Sequence, residues 1–261
     1  MNTTQALFDL ANIFNVEDHM FVYGETLNDE VSDKQVATLI NMLEISAPMK
    51  ILDMACGFGR HSNRLAALGH QVTGFDLVPG FLDLARRAAK ARGVQVDYQQ
   101  GDMRSLGLDS VYDVVLSLFT AFGYFEDEGN LLVLNNVAHA LKPGGLFMLD
   151  IQNRDVLLTY MLPYIVTEKE DGIIIDQCSF DSLYGLLHNQ RILIRDGKRV
   201  DKPHTIRLYN PTEIRDLLKQ AGLSIYKTYG GWDEQPLSSS SRRMIIIAQK
   251  PINNDQVHEP R

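Results

Sequence analysis

Cysteine is scarce in this chain. Its 261 residues hold two, Cys56 and Cys178, too few for a disulfide framework. Basic residues are outnumbered, 25 Lys and Arg against 33 Asp and Glu, for a formal net charge of −8. A general nucleic-acid or anionic-membrane surface is therefore not expected. The first basic residue is Lys34, so the positively charged start of a secretory signal is missing. Long apolar runs are missing too: the longest, around residues 114–125, is interrupted by Ser117, Thr120 and Gly123, and no membrane span is expected. No His, Cys and Asp cluster has metal-ligand spacing, so no metal is expected. With 45% hydrophobic and 22% charged residues, the composition is that of a globular protein with one sizeable core. The location expected from these absences is the reducing cytoplasm.

What is present centres on residues 51–62, ILDMACGFGRHS. An apolar pair, Ile51 and Leu52, leads to Asp53. Small residues follow at Ala55, Cys56, Gly57 and Gly59, then a helical run at residues 64–68 that Gly69 is placed to end. This reads as strand, glycine turn and helix, the first unit of a doubly wound sheet. Glycine allows a tight turn and a close-lying ligand, and the helix start directs backbone N–H groups toward that ligand. A second short strand, residues 71–75, ends at Asp76. An acid at that place in a nucleotide-binding βαβ unit accepts hydrogen bonds from the two ribose hydroxyls. A dinucleotide fingerprint would require a third glycine, where this chain has Ser62.

The pattern D-x-A-x-G-x-G from Asp53 to Gly59 resembles the first motif of the class I S-adenosylmethionine-dependent methyltransferases, with Ala55 in place of the usual first glycine. Further matches follow in order: Asp76 with Leu77; Asp102 and Met103 after a third strand; residues 112–119, ending in Leu118 and Phe119, as a fourth strand; and residues 141–150, with Pro143, Gly144 and Gly145, as the turn and fifth strand. The resemblance covers about residues 51–153, and residues 211–250 also fit. It implies a Rossmann-like, seven-stranded α/β sheet with an antiparallel last strand, and S-adenosyl-L-methionine as cofactor. It places Asp53, Ala55, Cys56, Gly57, Gly59, Asp76, Leu77, Asp102, Met103, Leu118 and Phe119 around that cofactor, with Asp102 facing the adenine amino group. Cys56 is expected as a small turn residue, not a nucleophile.

Ahead of this core, residues 6–14 and 36–43 have helical spacing, Ser32 with Gln35 resembles a capping box, and residues 21–24 read as an aromatic stop. The stretch 23–36 resembles the lead-in of a bacterial small-molecule branch in which a mobile N-terminal segment covers the cofactor and supplies an aromatic hydroxyl. Tyr23 is the candidate for that role. After the fourth strand, residues 119–125 form an aromatic loop beyond a carboxyl strand end, where open α/β sheets bind ligands. Phe119 and Tyr124 are candidates to wall the methyl-transfer channel, and Phe122 and Phe125 are expected to pack. Residues 154–210 leave the Rossmann pattern, with β-like runs at 172–176, 186–194 and 205–209 and turn signals at 181–185 and 196–197. An antiparallel insert of this kind, in the related small-molecule N-methyltransferases, forms part of the substrate site and often a dimer contact. Its basic cluster, Arg191, Arg195, Lys198, Arg199, Lys202 and Arg207, is expected to be a solvated hairpin, with capture of an acidic substrate as the alternative.

The domain plan is a helical lid at 1–44, a cofactor-binding core at 45–153 and 211–250, a β insert at 154–210 and a disordered tail at 251–261. The expected function is methyl transfer to a small-molecule acceptor, at nitrogen ahead of oxygen or carbon, with a homodimer as a further expectation. Other candidate polar groups are His61, Asn153, Arg191 and Tyr209, none with diagnostic spacing. Two alternatives stay open: a nicotinamide-dependent oxidoreductase, against which Ser62 weighs, and a non-catalytic cofactor-binding module.

Overall fold

The computed structural model describes residues 10–252. The expected helical residues Ala6, Leu7 and Phe8, and the expected tail beyond residue 252, lie outside them. The chain opens with helices α1 (Leu10–Ile13), α2 (Val16–Tyr23) and α3 (Asp29–Met42). The core follows as β1 (Lys50–Met54), α4 (Ser62–Ala67), β2 (Gln71–Asp76), α5 (Pro79–Arg92), β3 (Asp97–Gln100), β4 (Tyr112–Ser117), α6 (Asp127–Ala140) and β5 (Leu141–Gln152). After α7 (Arg154–Tyr160) come β6 (Tyr164–Lys169), β7 (Gly172–Asp181), β8 (Leu186–Arg195) and β9 (Lys198–Arg207), and the core closes with α8 (Pro211–Gln220), β10 (Ser224–Tyr229) and β11 (Arg243–Gln249).

Seven strands make one sheet in the order β10-β11-β5-β4-β1-β2-β3. The five strands from β5 to β3 are parallel, and β11 runs antiparallel to both β5 and β10. The fold class is the one the sequence implies. Alternation along each strand divides the core between two faces. On one face Leu52, Val115, Leu149 and Ile246 pack against Val133, Leu134 and Val137 of α6 and Ile214 and Leu218 of α8. On the other, Ile51, Val114, Leu116 and Ile245 pack against Val36, Leu39 and Met42 of α3. A polypeptide that reverses from β1 to β4 at the sheet centre leaves a crevice beyond the carboxyl ends of those strands.

Three local expectations differ from the structure. The start of α3 is not at Ser32. Asn28 caps it, accepting from the Val31 N–H at 3.0 Å, while the Ser32 hydroxyl donates back to the Asn28 carbonyl at 2.8 Å. The acids Asp29 and Glu30 then occupy the first turn, where the helix dipole favours them. Residues 21–23 finish α2 rather than forming a stop of their own. The insert has four strands in the order β6-β7-β8-β9, not three. Edge strand β6 is exposed over most of its length and so lacks the in-out alternation that marks a strand in sequence. The turn at Asp196 and Gly197, with φ of 49° and 70°, makes the tight two-residue hairpin its sequence suggests.

Candidate active site

The glycine turn joins β1 to α4 with left-handed backbone at Ala55, Gly57 and Gly59, φ 57°, 55° and 73°. The two glycines answer different needs. A Cβ on Gly59 would stand 2.1 Å from the Tyr98 hydroxyl oxygen, whereas one on Gly57 would meet nothing within 4 Å. Gly57 therefore leaves its main chain bare toward open space. Its N–H donates to Asp76 Oδ2 at 2.8 Å, and the Val78 N–H donates to Asp76 Oδ1 at 2.9 Å. Ser62, in the place of the third dinucleotide glycine, donates to Asp53 Oδ2 at 2.5 Å. Burial pushes the Asp53 carboxyl up to about 6 against the pull of Ser62 and Arg60, and the neighbouring Asp76 adds to the rise. Burial also raises Asp76, opposed by its backbone donors. The buried Cys56 thiol is pushed well above its ordinary range, first by burial and then by Asp53 and Asp76, which removes the thiolate a nucleophile would need.

Beyond β4 the chain passes through two non-glycine residues in the left-handed region, Phe119 at φ 57° and Thr120 at φ 59°. Each costs about 1–2 kcal/mol, and Asp150 at the end of β5 holds them. Its Oδ2 accepts from the Phe119 N–H at 3.0 Å and its carbonyl from the Thr120 N–H at 2.9 Å. Arg243 donates to Asp150 Oδ1 at 2.5 Å and to Thr120 Oγ1 at 3.1 Å, and Trp232 Nε1 donates to Asp150 Oδ2 at 3.3 Å. The Trp232 ring stacks on His61 with an interplanar angle of 14°.

The insert and the N-terminal helices close the crevice. Leu187, Asn189, Arg191 and Leu193, alternate residues of β8, line it, and so do Lys202, His204 and Ile206 of β9. Asn189 stands opposite His204 and Arg191 opposite Lys202, giving a polar stripe between apolar rows. Asp176 of β7 organises it. Arg191 donates to both its oxygens, at 2.6 and 3.2 Å, and Asn189 donates to Oδ1 at 2.7 Å. Arg191 Nη1 also donates to the Tyr23 hydroxyl at 3.0 Å. The Tyr23 ring meets Phe119 edge-on at 5.5 Å and His19 at 4.9 Å. Burial, then Arg191 and Arg60, hold His19 down to about 4, so its imidazole is neutral at pH 7. Asp18 of α2 pairs with Arg195 at 2.9 Å and Lys202 at 2.8 Å, and much of the basic hairpin is thereby pinned to the helix rather than solvated. Lys198 and Arg199, both exposed and the latter paired with Asp201, fit the solvated reading.

Residues 51–145 match the family model described as a methyltransferase domain. That stretch is thus similar to a methyltransferase domain, and the fold is shared with solved S-adenosylmethionine-dependent methyltransferases. It is 27% identical over 239 residues to YqeM of Bacillus subtilis (strain 168), provisionally named a methyltransferase, covering 88% of this chain and 94% of that one. Cypemycin N-terminal methyltransferase of a Streptomyces species is 26% identical over 211 residues, 77% of this chain and 82% of that one. Among solved structures, an S-adenosylmethionine-dependent methyltransferase from Clostridium acetobutylicum superposes with a TM-score of 0.77 at 17% identity, over 90% of this chain and 97% of that one.

Within this fold, one cavity of about 370 Å³ gathers most of the residues singled out from sequence. Asp53, Ala55, Cys56, Gly57, Asp76 and Leu77 line it from the first two strands. Met103, Leu118, Phe119 and Tyr124 line it from the later ones, and Tyr23 from α2. Gly59 is turned against Tyr98 instead. Asp102 stands apart from the lining. It caps the short turn Met103–Ser105 and is clasped by Arg104, whose guanidinium lies 4.3 Å from the Phe125 ring centre. Phe122 and Phe125 are core residues. Asn153 caps α7, and the buried Tyr209 accepts from Asn130 at 2.9 Å, both away from the cavity. Sequence reasoning did not name His19, Arg60, Asn189, His204 or Arg243, all of which line it. The usable signal for Asn189 and His204 was alternation in two strands whose register fixes the polar residues opposite one another.

Proposed function

We propose that the chain transfers a methyl group from S-adenosylmethionine to a nitrogen of a small-molecule acceptor held in this cavity. The observation that carries the reading is that one continuous cavity of about 370 Å³ joins the acid-lined glycine turn to the side-chain wall of the insert. That volume is in the range of small-molecule sites.

The residues present fit the cofactor. Each Asp76 oxygen has accepted one backbone N–H and retains a lone pair for a ribose hydroxyl. Gly57 presents bare main chain, and two buried acids, Asp53 and Asp76, favour a cationic ligand. Bound S-adenosylmethionine supplies a methyl already activated by the positive sulfonium. The chain's own work is to place the acceptor and exclude water. Helices α1 and α2 act as a lid, with Asp18 docking α2 onto the insert. Tyr23 and Tyr124 flank the acceptor. The Tyr23 hydroxyl accepts from Arg191 and so keeps its own proton to donate. Neutral His19 beside it adds no further positive charge to a wall that already carries Arg191.

Incubation with methyl-labelled S-adenosylmethionine and a panel of amines and hydroxyl compounds tests this, with product structure read by NMR. N-methylated product is expected. O-methylated product alone would move the acceptor atom to oxygen, and cofactor binding without transfer to any compound would favour a binding module. Tyr23→Phe is expected to lower turnover about 10- to 100-fold, with S-adenosylhomocysteine affinity unchanged by calorimetry.

A further inference from the structure

Three buried side-chain polar atoms among the described residues have no hydrogen-bond partner: Ser117 Oγ, Asn130 Oδ1 and Asn189 Oδ1. Of these residues Asn189 alone lines the cavity, and it is 5% exposed. The orientation of its amide is fixed. Nδ2 meets Asp176 Oδ1 at 2.7 Å, and a carboxylate ion-paired with Arg191 can only accept. Oδ1 is therefore the arm left over, and a buried acceptor without a donor is costly.

His204 stands opposite Asn189 in the register of β8 and β9. Its Nδ1 lies 3.3 Å from the Lys202 carbonyl oxygen. A carbonyl only accepts, so Nδ1 carries the proton, and Nε2 of the neutral ring is an acceptor. Among the described residues Nε2 has no partner. Residues directly opposite in an antiparallel pair hold their Cβ atoms about 4.5–5.5 Å apart. Two acceptors thus stand side by side on the cavity wall, and neither can donate to the other.

The charged groups around them are Arg191 with Asp176, and Lys202 with Asp18 of α2. The Cys178 thiol, opposite Asn189 on β7, is pushed up by burial and adds no charge. Burial first, then Arg191, hold His204 below its ordinary range, and Asp176 opposes them less strongly. The ring is neutral at pH 7, and the field at it leans positive, which disfavours an ammonium and favours an uncharged donor.

We infer that Asn189 and His204 form a subsite for an uncharged hydrogen-bond donor, a hydroxyl or an amide N–H, carried by the acceptor away from the nitrogen that is methylated. This rests on the proposed methyl transfer to an acceptor in this cavity. Asp176 is a positioning residue, because its hold on Nδ2 decides which arm of the Asn189 amide meets the ligand.

Long-range nitrogen–proton correlation NMR of histidine-labelled wild type at pH 7 reads the tautomer without any ligand. His204, assigned by its loss in His204→Gln, should be neutral with the proton on Nδ1, and a proton on Nε2 overturns the assignment. The positional isomers of aminocyclohexanol, their O-methyl ethers and the diaminocyclohexanes are titrated calorimetrically into wild type saturated with S-adenosylhomocysteine. At least one alcohol is expected to bind about 3- to 30-fold more tightly than its ether, which keeps the oxygen and loses the donor. The same alcohol should also outbind the matching diamine. With Asn189→Leu and His204→Phe combined, the gap between alcohol and ether should close to about twofold or less, and His204→Gln, which keeps an acceptor, should retain part of it. Unchanged S-adenosylhomocysteine affinity in these variants certifies their folding. A panel in which no alcohol outbinds its ether, as when bound water alone satisfies both acceptors, overturns the assignment. A diamine that outbinds its alcohol overturns the uncharged class. Failure of the wild type to bind S-adenosylhomocysteine would instead sink the functional reading itself and leave the tautomer result standing.

Discussion

The two halves of the cavity are built from different materials. The glycine-turn half holds its ligand surface with main chain and two acids: Gly57, Asp53 and Asp76. The insert half uses side chains on a sheet face, with Arg191, Lys202 and His204 opposite Tyr23 and His19 from α2. Main-chain recognition requires particular φ values and small residues at fixed spacing, so it leaves a motif. A sheet face requires only alternation, and any polar residue can occupy the inward positions. The first half therefore states its ligand in the sequence, and the second states its architecture without its acceptor.

The sharpest way to break that comparison is Asp76→Ala. It removes the acceptor of two backbone N–H groups and the proposed partner of the ribose hydroxyls. Hydrogen bonds to a charged group contribute about 1.5–3 kcal/mol each. S-adenosylhomocysteine affinity should fall about 100- to 1000-fold by calorimetry, with the insert half undisturbed. A change below about threefold would mean that the acids do not define this half.

Legibility followed the same division. Residues 53–59, Asp76 and the aromatic loop were readable because turn geometry and strand ends restrict them. Phe119 and Thr120 were not readable as strained residues, since nothing local announces a left-handed backbone at non-glycine positions. That backbone is held by Asp150, Arg243 and Trp232 from far along the chain. His19 and Arg60 were missed for a related reason. On an isolated helix or turn each is an ordinary polar residue, and only the tertiary fold puts them on the cavity wall. Asp102 shows the converse: its motif position was legible, but Arg104 two residues on claims its carboxylate.

Charge sharpens the comparison, because the halves pull stability in opposite directions with pH. Asp53 titrates near 6 in the folded chain against an ordinary 3.8. Between those values the folded state binds more protons, so this acid's contribution falls by about 3 kcal/mol as pH rises. His19 titrates near 4 against an ordinary 6.5. There the unfolded state binds more protons, and stability rises by about 3 kcal/mol over pH 4 to 6.5. His204 on the insert, also lowered first by burial, adds to the rising side, while His61 beside the glycine turn, lowered the same way, offsets part of the fall from Asp53. Urea denaturation from pH 4 to 7 should show Asp53→Asn gaining on the wild type by about 3 kcal/mol between pH 4 and 6. His19→Gln should lose about as much relative to the wild type between pH 4 and 6.5. A difference curve that stays flat for either variant would remove that residue from the desolvated set.

The smallest effect concerns Ala55, where the family takes glycine. Its φ of 57° costs an alanine about 1–2 kcal/mol, but glycine would lose about 0.5–1 kcal/mol more backbone entropy on folding. Ala55→Gly should therefore raise stability by about 0–1.5 kcal/mol, read as the shift in urea midpoint at pH 7. Affinity for S-adenosylhomocysteine should stay within about twofold, because the turn needs a backbone conformation at position 55 and an alanine already supplies it. A clear loss of affinity in Ala55→Gly would say otherwise: the methyl group would then be packing on the ligand, and the glycine-turn half would be recognising its ligand with a side chain after all.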